Sequence, residues 1–281
     1  MWIRMLAVAL LTGTVAAQSA QEPSPGPDAE LEAAIKATAA GGFTYLIKPV
    51  ADIPNFNSAR DELAGAPVKG EFNGDMYHAQ DGKYEIYRLG AKVAVKTQGG
   101  WLPIDQFASP LRQAIKEAFD SGDGRYWRKG NVTKGRQALS EIIRLDHLVH
   151  RADVSRLTNL AGAFVSMRAV GKPTIDGKPG ILYEGEMNDT TAFSILQGPF
   201  DELVSRGNLS FQNVSGVCRF WIQEGKVRKI HGRVGGKYGF YNEDDNAHRK
   251  GICVLDVHAE LNKFGETKVE PPKEAMQILG R

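Results

Sequence analysis

Residues 68–101 read VKGEFNGDMYHAQDGKYEIYRLGAKVAVKTQGGW. Apolar and polar residues alternate through this stretch, and Asp81-Gly82 and Gly90-Ala91 interrupt the alternation, so it reads as three strands turned back on one another by two tight hairpins. A two-residue turn at Asp81-Gly82 sets Gln80 against Lys83, Ala79 against Tyr84 and Tyr77 against Ile86. The second turn sets Leu89 against Lys92, Arg88 against Val93, Ile86 against Val95 and Glu85 against Lys96. Tyr77, Ala79, Tyr84, Ile86, Val93 and Val95 then share an apolar face. His78, Glu85, Tyr87, Lys92, Ala94 and Lys96 share a polar one, with His78 and Lys96 both beside Glu85 as attractive cross-strand pairs. The expected sheet has one apolar and one wet side, and what covers the apolar side decides the function.

Outward from this core, Asp28 to Ala40 predicts a helix, with Asp28 as N-cap, Leu31, Ala34, Ile35 and Ala39 on one face, and Gly41-Gly42 as its stop. Phe43 to Val50 predicts a strand. Ser109 to Phe119 predicts a second helix, with Pro110 in its first turn and Leu111, Ile115 and Phe119 on one face. Leu139 to Val149 predicts a third, resuming over Val154 to Leu160. Two strands, Phe164 to Val170 and Gly180 to Met187, flank a loop at Asp176-Gly177, and Thr190 to Leu203 is helical with a break at Gly198-Pro199. A last meander follows: Val214 to Gln223, a Glu224-Gly225 turn, a strand to Val234, a Gly-rich acidic loop, and Ile252 to Leu261. In that final strand Cys253, Leu255, Val257, Ala259 and Leu261 face one way and Asp256, His258 and Glu260 the other. Lys273 to Leu279 closes the chain as a short helix after Pro271-Pro272. Strands early and late with helices between them predict an α+β fold: a curved antiparallel sheet, or half-open β-barrel, covered by a lid of α-helices.

The amino end carries Arg4, an apolar run from Met5 to Val15 and small residues at Ala16 and Ala17, the pattern of a cleaved signal peptide over residues 1–17. The run is about half of the ~20 residues a membrane-spanning helix needs, so no permanent span is expected. Residues 18–27 read as a flexible tether and 28–281 as a single domain in a periplasmic or secreted protein. The chain has 35 Lys plus Arg against 33 Asp plus Glu. Loss of Arg4 with the leader leaves that balance close to neutral, which argues against a nucleic-acid partner. Cys218 and Cys253 could oxidise in an exported protein. A consecutive meander would hold them two strands, about 9 to 10 Å, apart, beyond the ~7 Å limit for a bridge; the alternative is two buried small hydrophobes.

Motifs for catalysis are missing: no Gly-x-Ser-x-Gly elbow, no Lys-bearing phosphate loop, no His-Glu-x-x-His helix. His147 and His150, near Asp146 and Asp153, have metal-compatible spacing but number two where zinc takes three or four ligands. Glu243, Asp244, Asp245 and His248 lack the ligand order of a calcium loop. Arg125, Arg128, Lys129, Lys134 and Arg136, with Tyr126 and Trp127, form a basic loop that reads as solvated or as a seat for an anionic headgroup. No enzyme, metal or cofactor is expected.

Tyr84-Glu85-Ile86-Tyr87-Arg88, Val93-Ala94-Val95-Lys96 and Gly100-Trp101 at the front, Tyr183-Glu184-Gly185 in the middle, and Phe220-Trp221-Ile222, Phe264-Gly265 and Val269-Glu270-Pro271-Pro272 with Ala275 at the back carry a family likeness. On these residues the chain resembles the periplasmic lipoprotein carriers, LolA-like proteins with LppX-like and LprG-like lipid-binding relatives. It departs from the anchored relatives in having no lipobox cysteine, and its helical region from Ser109 to Leu160 is longer. The resemblance implies a carrier whose partners are lipid or lipoprotein acyl chains, held in an apolar cavity between sheet and helices. Its expected lining is Tyr45, Phe72, Tyr77, Tyr84, Ile86, Val93, Val95, Phe220, Leu255 and Val257. Two other readings stay open: the same residues form an ordinary core, or the fold serves as an envelope sensor or assembly module with protein partners.

Overall fold

The computed structural model describes residues 29–52, 66–120, 164–197, 209–242 and 247–280, together with 134–135, 137–138, 141–142, 144–145 and 148–149. The expected leader and tether, the basic residues of 125–129, Arg136, His147, His150 and the acidic residues 243–245 lie outside them. The helices are α1 (Ala29–Ala39), α2 (Ile104–Asp120), α3 (Asp189–Gln197) and α4 (Lys273–Leu279), and the described residues between 134 and 149 are also helical. The strands are β1 (Phe43–Asp52), β2 (Val68–Asn73), β3 (Met76–Gln80), β4 (Glu85–Leu89), β5 (Lys92–Thr97), β6 (Gly100–Pro103), β7 (Phe164–Gly171), β8 (Thr174–Ile175), β9 (Lys178–Pro179), β10 (Ile181–Met187), β11 (Leu209–Gln223), β12 (Lys226–Asn242) and β13 (Ala247–Asn262). Eleven strands form one open antiparallel sheet in the order β6-β5-β4-β3-β2-β1-β13-β12-β11-β10-β7, and β8 and β9 form a separate ribbon. The α+β class expected from the sequence is the one observed. No helix among the described residues is long and apolar enough to cross a membrane.

Two compact units divide the chain: Met1–Gly41, Ile47–Gly65 and Val154–Asn262 in one, Gly42–Leu46, Ala66–Asp153 and Lys263–Arg281 in the other. The second, called here the meander unit, contains the deciding stretch. Its β4–β5 register is the predicted one, with Ile86 opposite Val95 and Arg88 opposite Val93. The β3–β4 register is not: Ala79 faces Ile86, His78 faces Tyr87 and Tyr77 faces Arg88. Asp81 makes the difference. Its carboxylate accepts the backbone N–H groups of Lys83 and Tyr84 at 3.0 and 2.8 Å, which stabilises a four-residue turn over Asp81–Tyr84 in place of the two-residue turn. A shift of two residues preserves the alternation, so the face assignments survive. A further turn at Gly74-Asp75, where Gly74 has φ +67°, divides what reads as one strand into β2 and β3.

The predicted wet side is covered in part. Tyr87 and Ala94 are buried at 8% and 0% exposure, in a cluster with Met76, Ala275 and Leu279 of α4 and with Trp101 and Leu89 against its edge. Ala94 and Ala275 are small, and this lets the helix lie close to the sheet. Lys92 Nζ donates to the Leu279 carbonyl at 3.1 Å, placing a cation at the helix C-terminus where the backbone dipole favours it. Gly280, at φ +78°, ends the helix by donating to Gln277 and Met276. His78 and Lys96 do hold Glu85, at 3.3 and 2.7 Å. Helix α2 starts at Ile104, five residues before the predicted start, because it follows β6 directly; Pro110 is therefore in its interior.

In the other unit, called here the glycine unit, α1 buries Leu31, Ala34 and Ile35 against Tyr183, Phe220, Ile222 and Val227. Thr38 is the fourth buried position, where Ala39 was expected. Its hydroxyl donates to the Ala34 carbonyl at 2.7 Å and accepts the Val227 N–H at 2.9 Å, tying helix to strand. Strand β11 begins at Leu209, ahead of Val214, with a bulge after Gln212 where Asn213 takes φ +52°. Strand β12 runs through the predicted Gly-rich loop to Asn242. Tyr238 explains this: it pairs with Gly251, and its ring lies 2.7 Å from where a Cβ would stand. That glycine is a crossing point for an aromatic ring. Glu224-Gly225 is a tight turn as read, and the loop expected at Asp176-Gly177 is one too, both residues of each pair having positive φ. Cys218 and Cys253 lie on β11 and β13 with β12 between them, buried and unbridged.

Candidate functional site

The expected lining residues fall into three groups. Tyr45, Phe72 and Tyr77 join an aromatic chain in the meander unit, with the Phe43–Phe72 and Phe72–Tyr77 ring centroids 5.2 and 4.9 Å apart. The Tyr45 ring crosses the face of Gly70 and its hydroxyl donates to the His78 carbonyl at 3.1 Å. Burial, with nearby Tyr77 and Glu71, pushes the Tyr45 phenol far above its ordinary range.

The second group is Tyr84, Ile86, Val93 and Val95 on β4, β5 and the turn before them. Ile86 and Val95 are fully buried; Tyr84 and Val93 are 6% exposed. Tyr84 packs edge-on against Phe107 of α2 at 5.6 Å. Its hydroxyl donates to Glu141, whose other carboxylate oxygen takes Lys83 Nζ at 2.6 Å. Burial raises the Tyr84 phenol and the Glu141 charge raises it further. Arg144 Nε meets the Asp81 carboxylate at 2.6 Å. Burial alone would raise the Asp81 carboxyl, but Arg144 and the Tyr84 and Lys83 N–H groups outweigh it and hold the group below its ordinary value. Glu141 and Arg144 are thus held to this hairpin by charge, and of the described helical residues around them Ala138, Ile142, Leu145 and Leu148 are buried.

Phe220, Leu255 and Val257 form the third group, on the α1 side of the glycine unit. Register carries one row across Gly185, Cys218, Gly232 and Val257, and a neighbouring row across Gly216, Val234 and Leu255. Three of these seven positions are glycine, so the sheet here has a shallow trough where side chains would stand. Two methionines reach into it. Met167 Sδ lies 2.8 Å from the position a Gly185 Cβ would take, and Met187 Sδ lies 2.7 Å from that of Gly216 with its methyl 3.7 Å from that of Gly232. Phe220 is fully buried and Cys218 nearly so, its thiol pushed up to about 12 by burial. Val257 remains 39% exposed and Leu255, Met167 and Met187 are half-buried. Helix α1 covers the Ile222–Val227 end of this core, and Val257 is the exposed member of the two rows.

The two methionines were not among the expected lining residues. Their signal was the glycines at 185, 216 and 232, each inside an expected strand, which only the strand register brings side by side. No family model matches the chain, and no curated protein does. Among solved structures, the chain is similar to the lipoprotein LppX of Mycobacterium tuberculosis, at 11% identity and a TM-score of 0.41, over 86% of this chain and 96% of that one. It is similar also to LprF from Mycobacterium bovis, at 10% identity and a TM-score of 0.40, over 88% of this chain and 99% of that one.

Proposed function

We propose that the protein is an exported carrier that binds the acyl chain of a lipid or lipoprotein. The observation that supports this best is the trough of the glycine unit: an apolar floor at Cys218 and Phe220, no side chains at Gly185, Gly216 and Gly232, flexible Met167 and Met187 resting in it, and Val257 exposed at its mouth. Methionine repacks at low cost, so these two can give way to a ligand. Each methylene that leaves water for such a surface contributes about 0.8 kcal/mol, so a short length of acyl chain gives useful affinity without any polar recognition. The resemblance carried by Tyr84–Arg88, Val93–Lys96 and the Phe220-Trp221-Ile222 segment points the same way.

The test is saturable binding of a fluorescent fatty-acid probe to the full chain. Val257→Asp should weaken binding at least tenfold with an unchanged denaturation midpoint, since the side chain is exposed. Ile86→Trp asks whether the meander unit also holds ligand. If the probe shares that space, the variant keeps its midpoint and loses binding; if Ile86 is core, overpacking costs roughly 1–3 kcal/mol and the Val257 result stands alone. Glu85→Gln, next to Ile86 on β4 and so on the opposite face, serves as control. Absence of saturable probe binding by the wild type would overturn the reading.

A further inference from the structure

The opposite face of the glycine unit is polar, and one cluster on it has the chemistry of a metal site. Register places His231 of β12 directly across from His258 of β13, and Asp256 precedes His258 by two residues, on the same face. The two imidazoles stack with centroids 4.3 Å apart and planes 8° from parallel. His231 Nε2 lies 2.8 Å from Asp256 Oδ1. One ligand atom from each of the three residues falls within 4.8 Å of the other two. We propose that His231, Asp256 and His258 bind a divalent transition metal of the zinc class.

Two imidazole nitrogens and one carboxylate oxygen suit zinc and its neighbours, whereas magnesium and calcium want oxygen ligands throughout. Three protein ligands leave a fourth position for water, the arrangement of an open zinc site. With metal–ligand bonds of 2.0–2.2 Å, tetrahedral ligand atoms stand about 3.3 Å apart. His231 Nε2 and Asp256 Oδ1, 2.8 Å apart in a hydrogen bond, separate by about 0.5 Å when a metal replaces the shared proton, and side-chain rotation of His258, which is exposed, closes the remaining distance. Adjacent strands hold the three Cα atoms in fixed register, so little backbone freedom is lost on binding. The His231 and Asp256 side chains are 18% and 21% exposed, which shields the bonds while His258 leaves the entry open. Arg219, across from His231 on β11, is held by Glu184 at 2.6 Å. Arg233 stands across from Asp256, and Glu260, two residues beyond His258 on the same face, stands across from Lys229.

Titration of the full chain with zinc chloride in chelator-free buffer should show one equivalent bound at micromolar concentration. Cobalt in its place should give the visible absorption of a four-coordinate ion. His258→Ala should lower the affinity more than tenfold, and Asp256→Asn likewise, while His78→Ala leaves both stoichiometry and affinity unchanged. Thermal midpoints measured in EDTA should be the same for His258→Ala and wild type, and zinc should raise only the latter. Zinc binding that survives both His258→Ala and Asp256→Asn, equal binding of magnesium, or no saturable binding at all would each overturn the site. None of these outcomes bears on acyl-chain binding, which takes place on the other face.

Discussion

Asp81 sets the register of the central hairpin and anchors the helical residues above it, so its carboxylate couples local to tertiary structure. Asp81→Ala removes the acceptor of two backbone N–H groups and of Arg144, and should cost roughly 1–3 kcal/mol in chemical denaturation. The group titrates below its ordinary value of 3.8 in the folded chain. Its contribution is therefore complete above the unfolded value and is lost as pH falls, so the stability gap between wild type and Asp81→Ala should narrow below about pH 4. A gap constant from pH 7 to pH 3 would exclude this role. Gly70 is a residue-scale case of the opposite kind. A Cβ there would stand inside the Tyr45 ring and the His78 carbonyl oxygen, one aromatic and one backbone. Gly70→Ala should destabilise by roughly 1–3 kcal/mol through overpacking, though its neighbours on β2 are ordinary strand residues.

The strands show how far local pattern reaches. The Gly90-Ala91 hairpin, the alternation of β4 and β5 and the Glu85 pairs were legible because each depends on residues two to eleven positions apart. Tyr87 and Ala94 were misread as wet because the cover comes from α4, more than 170 residues away, and alternation within a strand cannot announce a partner on its far side. The glycines of β12 failed differently. Glycine marks a turn when the chain must bend, and marks a crossing when a neighbour such as Tyr238 needs the space; only the pairing to Gly251 tells the two apart. The trough at Gly185, Gly216 and Gly232 was hidden although all three were read inside strands, because only the pairing across β10, β11 and β12 brings them together. Meander order, by contrast, fixed the cysteines. Cys218 faces Gly232 and Cys253 faces Gly236, so they are two strands apart and four residues out of line. Alkylation of denatured, unreduced protein should count two free thiols per chain.

On the scale of the molecule, the two units share the chain in alternating pieces. A fragment starting at Val154 would hold every strand from β7 to β13 but lack α1, which buries Tyr183, Phe220 and Ile222. It would also carry α4 without the strands that α4 covers. Such a fragment should lack fixed tertiary structure, read as absent near-ultraviolet dichroism and a non-cooperative melt. A cooperative transition in it would mean that α1 is dispensable to its unit.

The hydrogen bond from Lys92 to Leu279 spans 187 residues. A chain emerging amino end first from a ribosome makes β3 to β6 long before the helix that seals Tyr87 and Ala94. Until then those side chains stand in water, and the meander unit has no finished interior to resist threading. Closure is timed by arrival: the segment at 273–279 is the latch, and Tyr87 and Ala94 stay uncovered until it has been delivered.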